Sequence, residues 1–245
     1  MDTPGYVILS RLGAQLRATQ VLANNVANAD TPGFRAERAI FVQHLERHRD
    51  LAAPPGQREV AYALDRATWR DMAPGAVSVT GNPLDVAIQG EGFFAVETPR
   101  GERYTRAGRF ALDAERRLVD AEGHPVLDAR GMPIAFAIND SRIEIRGDGT
   151  VRTENGAVGQ LRVVRFADPQ RLQAEGGRLF ASDDPPEPVE RPALVQGAVE
   201  GSNVSAVQEI TRLTIELREF QFAAQFAERE GERLQTAVER ILRRR

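Results

Sequence analysis

The chain contains neither cysteine nor lysine; all 32 of its basic residues are arginine. Without thiols it can form no disulfide, no thiolate metal site and no cysteine nucleophile. Without lysine it offers no Schiff base and no P-loop cation. Aromatics make up only 6%, with one Trp and three Tyr. No stretch approaches the ~18 consecutive apolar residues of a membrane span, so no direct membrane insertion is expected. Met1-Asp2-Thr3-Pro4-Gly5 lacks the basic and apolar regions of a cleaved secretion signal. A chain built this way needs another route if it leaves the cytoplasm. The 32 basic against 35 acidic residues leave a net charge of -3, which argues against a nucleic-acid partner and its basic stripe.

What is present is ordinary in amount and distinctive in arrangement. At 245 residues the prior is one or two domains, given ~150 residues for each. Near the start, Leu9, Leu12, Leu16, Thr19, Ala23 and Val26 are spaced 3-4-3-4-3, a heptad seam on a helix beginning near Pro4. The other end repeats the pattern for longer, through Ile210, Leu213, Leu217, Phe220, Ala224, Ala227, Gly231, Leu234, Val238 and Ile241. Ser205 with Gln208 fits a capping box at its start. Arg212 with Glu216 makes an i,i+4 pair, and Gly231 marks a kink or a close crossing. A stripe on an ordinary helix normally faces that domain's own core. These two lie at opposite ends of the chain, and the second exceeds the usual ~10–14 residues, so each other or another molecule must cover them.

Between the helices the period changes to two, and short runs of β-branched and aromatic residues alternate with turn signals. Gly81-Asn82-Pro83, Gly147-Asp148-Gly149 and Asn155-Gly156 are explicit turns. Strands are expected from Ala76 to Ala181, including Phe93–Glu97, Pro125–Leu127 and Ile134–Ile138. The expected fold is α+β: a discontinuous coiled-coil domain from the long N- and C-terminal helices, plus a central all-β domain. The boundaries are 1–30 and 200–245 for a terminal helical assembly domain, 76–182 for the β domain, and 31–75 and 183–199 for connectors. The first connector is expected to hold a short helix from Arg38 to His48 and an extended run from Val60 to Trp69. The second, with Asp183-Asp184-Pro185-Pro186-Glu187-Pro188, is too rich in proline for regular structure.

Catalytic chemistry is absent from the pattern. His44 and His48 would share a helix face, yet a zinc site needs three or four ligands, so the pair reads as surface residues. His124 sits in a turn without an evident partner. Gly90-Glu91-Gly92-Phe93-Phe94-Ala95 has the letters of a dinucleotide loop, but it runs on into a strand rather than the helix that would hold the pyrophosphate. No serine lies in a nucleophile elbow, and no carboxylate pair stands out. No catalytic residue, metal or cofactor is expected.

Three blocks of sequence nevertheless resemble a known family. Leu22-Ala23-Asn24-Asn25-Val26-Ala27-Asn28-Ala29-Asp30-Thr31-Pro32-Gly33-Phe34-Arg35 resembles the amino-terminal signature of flagellar axial proteins of the rod and hook. Gly81-Asn82-Pro83-Leu84-Asp85-Val86-Ala87-Ile88-Gln89-Gly90-Glu91-Gly92-Phe93-Phe94, followed by Tyr104-Thr105-Arg106-Ala107-Gly108-Arg109-Phe110, is similar to their β domain. Glu200-Gly201-Ser202-Asn203-Val204 with Arg218-Glu219-Phe220 resembles their carboxy-terminal signature. The likeness is strongest to proximal rod members, with distal rod members next. It implies a non-enzymatic structural subunit of the basal-body rod, exported unfolded by the flagellar type III apparatus without a cleaved signal. It also implies a periplasmic rod location, torque transmission, and contacts with other rod subunits and copies of itself. Terminal helices of such proteins order as subunits stack, with a β domain outside. In that picture Leu9, Leu12, Leu16, Ile210, Leu213, Leu217 and Phe220 are buried seam residues. Asn24, Asn25 and Asn28 finish the first helix through amide hydrogen bonds, Phe34 anchors the turn that follows, and Asn203 belongs to the same assembly interface. Two other classes compete: a β-domain module binding peptidoglycan with helices that dimerise it, and a β-sandwich hydrolase.

Overall fold

A computed structural model describes residues 3–47, 59–176 and 178–242. The chain is α+β and divides into two compact units. One gathers helix α1 (Thr3–Ala27), strands β1 (Glu37–Arg47) and β2 (Glu59–Arg70), and helix α2 (Ala206–Leu242). The other comprises residues 28–36 and 71–204. None of the described helices is long and apolar enough to cross a membrane.

In the helical unit, β1 and β2 form an antiparallel hairpin from Glu37↔Arg70 to Arg47↔Glu59, with a bulge at Ile40/Phe41. The helix expected over Arg38–His48 is therefore a strand over its described part, and His48 lies outside the described residues. The reason is long-range: the hairpin register pairs 37–47 with a strand that starts a dozen residues later, and such pairing overrides local preference. The extended run read at Val60–Trp69 is β2. The helices run antiparallel, since Asn25 meets Glu209 at 3.1 Å while Arg11 lies 3.7 Å from Glu219. α2 starts directly after Ser205, as its cap residues require. It passes through Gly231 as one continuous helix, where an added Cβ would meet nothing within 4 Å, so no close crossing is formed there among the described residues. Arg212 reaches Glu209 at 3.1 Å instead of the expected Glu216.

The β unit is built on a six-stranded antiparallel sheet ordered Gln173–Ala174, Leu179–Ala181, Gly101–Thr105, Phe93–Thr98, Val163–Arg165, Glu187–Pro188. Both faces of this sheet are buried. Phe94, Val96 and Val163 enter one core with Val86, Leu118, Val126 and Val151, while Phe93, Ala95 and Val164 enter a second with Tyr104, Phe166 and Phe180. That explains the continuous apolar run at Phe93–Val96, since a strand covered on both faces does not alternate. Phe94 and Phe110 meet edge to face at 5.1 Å, and Tyr104 and Phe166 at 4.8 Å. The turns at Gly147–Gly149 and Asn155–Gly156 separate Glu144–Ile145, Thr150–Thr153 and Gly156–Gln160, a three-stranded sheet. The segments read as strands at Pro125–Leu127 and Ile134–Ile138 carry only isolated bridges, such as Val96↔Val126 and Arg117↔Ala135. The proline-rich stretch yields one short strand, Glu187–Pro188, and Ala193–Gln196 and Ala198–Glu200 pair with Val86–Gln89 and Val77–Val79. Residues 37–47 and 59–70 thus add strands to one unit, and residues 187–200 to the other.

Candidate assembly interface

The two helices present different faces inward and outward. Among the described side chains of α1, those buried are Ala14, Gln15, Val21, Leu22 and Asn25. Leu9 and Leu16 lie on the other side, 64% and 53% exposed, with Leu12 half-buried between them. Among the described side chains of α2, only Glu209 is fully buried. Leu213 and Phe220 are half-buried, and Ile210 and Leu217 remain 50% and 44% exposed. The expected seam residues are therefore split in the lone chain: Leu9, Leu16, Ile210 and Leu217 are open, while Leu12, Leu213 and Phe220 are half-buried.

Asn25 shows how the unit is closed. Its amide pairs with the backbone of Glu37, donating to the carbonyl and accepting from the N–H, both at 2.8 Å, as another strand would. The same amide nitrogen donates to the Glu209 carboxylate at 3.1 Å. Glu209 also receives Arg38 at 2.7 Å and Arg212 at 3.1 Å. One side chain from α1 thus ties the start of β1 to the first turn of α2. A buried carboxylate so surrounded is satisfied rather than orphaned. Asn24 lies on the exposed side of the last turn, so the three asparagines of the motif have separate roles. Asn28 begins the next turn, where its Oδ1 accepts the Thr31 hydroxyl at 3.2 Å.

A second cluster lies within the β unit and was not singled out from the sequence. Glu200, 1% exposed, accepts Arg35 at 2.7 Å, Arg106 at 2.5 Å and the Gly75 N–H at 2.9 Å. Burial pulls the Arg35 pKa down, and Glu200 opposes that shift. Arg106 donates also to the carbonyls of Ile88, Gly90 and Gly92. The glycine loop thus aims its oxygens at a cation, the reverse of the N–H cradle a phosphate needs. Beside it, Asn203 accepts the Ala36 N–H at 2.7 Å and donates to the carbonyls of Asp71 and Ala73 at 2.7 and 3.0 Å. The Asn203 N–H reaches the Phe34 carbonyl at 3.3 Å, and the Phe34 ring is buried. Phe34 and Asn203 are therefore internal fasteners in the β unit.

His124 does have a partner: its Nδ1 lies 3.1 Å from Asp120 Oδ2. The other oxygen of Asp120 accepts the Glu122 and His124 N–H groups, so the Asp120, Glu122 and His124 cluster is occupied in holding its own turn.

Comparisons with known proteins fall on the same segments. Residues 6–35 match the family model "Flagella basal body rod protein", residues 87–153 the "Flagellar hook protein FlgE/F/G D1 domain", and residues 195–240 the "Flagellar basal body rod FlgEFG protein C-terminal". A FlgF basal-body rod protein of Mesorhizobium japonicum is 38% identical over 222 residues, covering 89% of each chain. The chain belongs to the flagellar basal-body rod protein family. A FlgF of Caulobacter vibrioides is 35% identical over 243 residues, 98% of each chain, and a FlgG of Agrobacterium fabrum is 32% identical over 233 residues. The FlgF relatives are thus favoured over FlgG. As a member of this family the chain is a structural subunit of the basal-body rod and not an enzyme. Arg35, Arg106 and Glu200 come one from each of the three matched segments, so the buried ion cluster joins the family's three blocks inside one unit.

Proposed function

We propose that the chain is a proximal rod subunit whose terminal helices assemble with neighbouring subunits through Leu9, Leu12, Leu16, Ile210, Leu213, Leu217 and Phe220. The observation that carries this is the exposure of Leu9, Leu16, Ile210 and Leu217 on two helices that already pair with each other through Asn25 and Glu209. A coiled coil between subunits would bury that seam at about 25 cal/mol per Å² of apolar surface, and the ordering of the helices is offset by that burial. Asn24 and Asn28 belong to the same helix end, whereas Asn25, Phe34 and Asn203 hold the units that display the seam. Partners are copies of this chain and the other rod subunits. The flagellar type III apparatus exports it into the periplasmic rod, where rigid heterologous contacts carry torque.

Leu217→Asp tests the reading. An unpaired charge in a closed apolar seam costs several kcal/mol, so the variant should be exported but absent from isolated basal bodies, with motility lost. Normal incorporation and swimming would show that the seam stays in solvent. The peptidoglycan-module alternative predicts instead that the full chain sediments with purified cell-wall sacculi independently of Leu217.

A further inference from the structure

The β unit contains a cavity that neither its packed cores nor the helix seam accounts for. It measures about 250 Å³, borders the Gly90–Gly92 loop and has Met72, Phe93, Phe166 and Pro169 in its walls. Every residue that lines it belongs to this one unit. Phe93 and Phe166 are buried, with ring centroids 6.0 Å apart, so that part of the wall is fixed before anything enters. The charged lining is one-sided, with Arg35, Arg106 and Arg165 against Glu91. Arg106 is fully engaged by Glu200 and three carbonyls. Arg35 is not. Its Nη1 donates to the Ala73 carbonyl at 2.6 Å and its Nη2 to Glu200 at 2.7 Å, and its other N–H groups have no acceptor among the described residues. The carboxylate that Arg35 holds is claimed by Arg106 as well, at 2.5 Å. Two buried guanidinium charges thus share one counter-ion, and at Arg35 the push of Arg106 exceeds the pull of Asp71. A buried cation short of an anion is costly, and an arriving anion relieves that cost.

We propose that this cavity is a binding site for an apolar carboxylic acid, with an aromatic or branched aliphatic body against Met72, Phe93 and Phe166 and its carboxylate on Arg35. The volume lies below the ~300 Å³ at which drug-sized sites begin, so the ligand is no larger than about one acylated amino acid. Apolar walls with one converging charged group are what such a ligand needs, since the walls supply affinity and the charge fixes orientation. Arg165 is paired with Glu187 at 3.1 Å, both more than half exposed, so the selective charge is that of Arg35. Glu91, exposed at the rim, is the only carboxylate in the lining and opposes an anion. The same chemistry is offered by a free acid and by the carboxy-terminal residue of a partner polypeptide. The site goes beyond the helix-assembly reading and does not depend on it, because the seam residues lie in the other unit.

The chain has only three methionines, so NMR of the full-length protein with isotope-labelled methionine methyls reads the site directly. Met72 lies in the cavity wall, whereas Met132 is 62% exposed and outside it; Met72→Leu assigns the signal. N-acetyl-L-phenylalanine should shift the Met72 methyl saturably, with a Kd of about 1 mM or tighter, and leave Met132 unmoved. Its carboxamide, the same body without the charge, should bind at least about tenfold more weakly, and acetate at equal concentration should leave Met72 in place. Glu91→Gln, at an exposed position, should tighten the acid about threefold. Acetyl-glycyl-glycyl-phenylalanine separates the two sources: affinity equal to the single residue marks a chain terminus as the occupant, and exclusion marks a free acid. Absence of a Met72 shift at ~10 mM acid, equal binding of acid and carboxamide, or equal shifts at Met72 and Met132 would overturn the proposal. Each of those failures leaves the Leu217→Asp test of the helix seam untouched, since Leu217 lies in the other unit.

Discussion

Replacing Glu200 by Gln should destabilise the β unit far more than its conservative appearance suggests. Both guanidinium groups that converge on Glu200 are nearly inaccessible, with Arg35 and Arg106 side chains 4% and 2% exposed. The carboxylate is the one group common to both cations, at 2.7 and 2.5 Å, and it accepts the Gly75 N–H as well. At an effective dielectric near 20, each such contact is worth about 5 kcal/mol of gross attraction. The recovered desolvation of the carboxylate offsets part of this, and removal of one member of a buried pair typically costs ~3–5 kcal/mol. A glutamine also turns an N–H2 toward donors, leaving at least one arginine N–H facing another hydrogen. At ~2–4 °C per kcal/mol for a unit of this size, the transition should fall by about 6–20 °C. Near-ultraviolet circular dichroism of the full chain during heating reads the aromatic cores of the β unit directly. A melting temperature within about 2 °C of the parent would show that the two arginines are content with backbone carbonyls alone, and the argument for a charge-locked joint would fail.

Gly231→Ala should stabilise α2 by ~1 kcal/mol, because the helix is continuous there and the new methyl meets nothing within 4 Å; a lower melting temperature in the helical signal would restore the kink. The Glu216 pKa is raised from 4.5, first by burial and then by Glu219, against the pull of Arg11. A carboxylate raised on folding favours the native state below its unfolded value and loses that contribution as pH rises through its folded one. Glu216→Gln should therefore raise the melting temperature at pH 7 and leave it unchanged in acid, and equal effects at both pH values would contradict the sign. Tyr104 is pushed up to about 12, chiefly by burial and next by the charge of Glu102. Its contribution to stability is complete below the ordinary value of 10 and is lost as pH rises through about 12. The phenolate absorbance missing from Tyr104→Phe should accordingly develop late, and a difference that titrates near 10 would place the ring in water.

The terminal helices are legible because a 3-4 repeat survives any context, but the repeat does not say which face packs at home. Among the described residues, those fully buried in the helical unit are Ala14, Gln15, Asn25 and Glu209 beside Val21 and Leu22, and small or polar residues leave no hydrophobic signal. Most central strands could be read from alternation and turns. The strand at Glu37–Arg47 could not, since its charged and apolar residues suit either period until β2 supplies the partner. The ion cluster was hidden for another reason. Arg35, Arg106 and Glu200 lie far apart in sequence, and nothing local distinguishes a buried arginine from the others among 32 basic residues. The quoted motifs contained all three, so the blocks were visible and their joint was not.

That division of labour bears on what an axial subunit must do. A seam that assembles has to be bare beforehand, so the force that normally fixes a fold, burial of large apolar side chains, is unavailable on those faces. The unit must then be held by something that does not compete with the seam. Asn25 and Glu209 do this in the helical unit with a backbone-mimicking amide and a thrice-bonded carboxylate. Glu200 and Asn203 do it in the β unit by collecting donors from residues 35, 36, 75 and 106. Such polar fasteners add less net stability than an apolar core of equal volume. They demand one geometry, however, because a shifted partner leaves a buried polar group unpaired at ~1–3 kcal/mol. A subunit passing load to its neighbours needs that intolerance of displacement more than it needs a high melting temperature, and the exposed Leu9, Leu16 and Leu217 are held on a frame that tolerates no other arrangement.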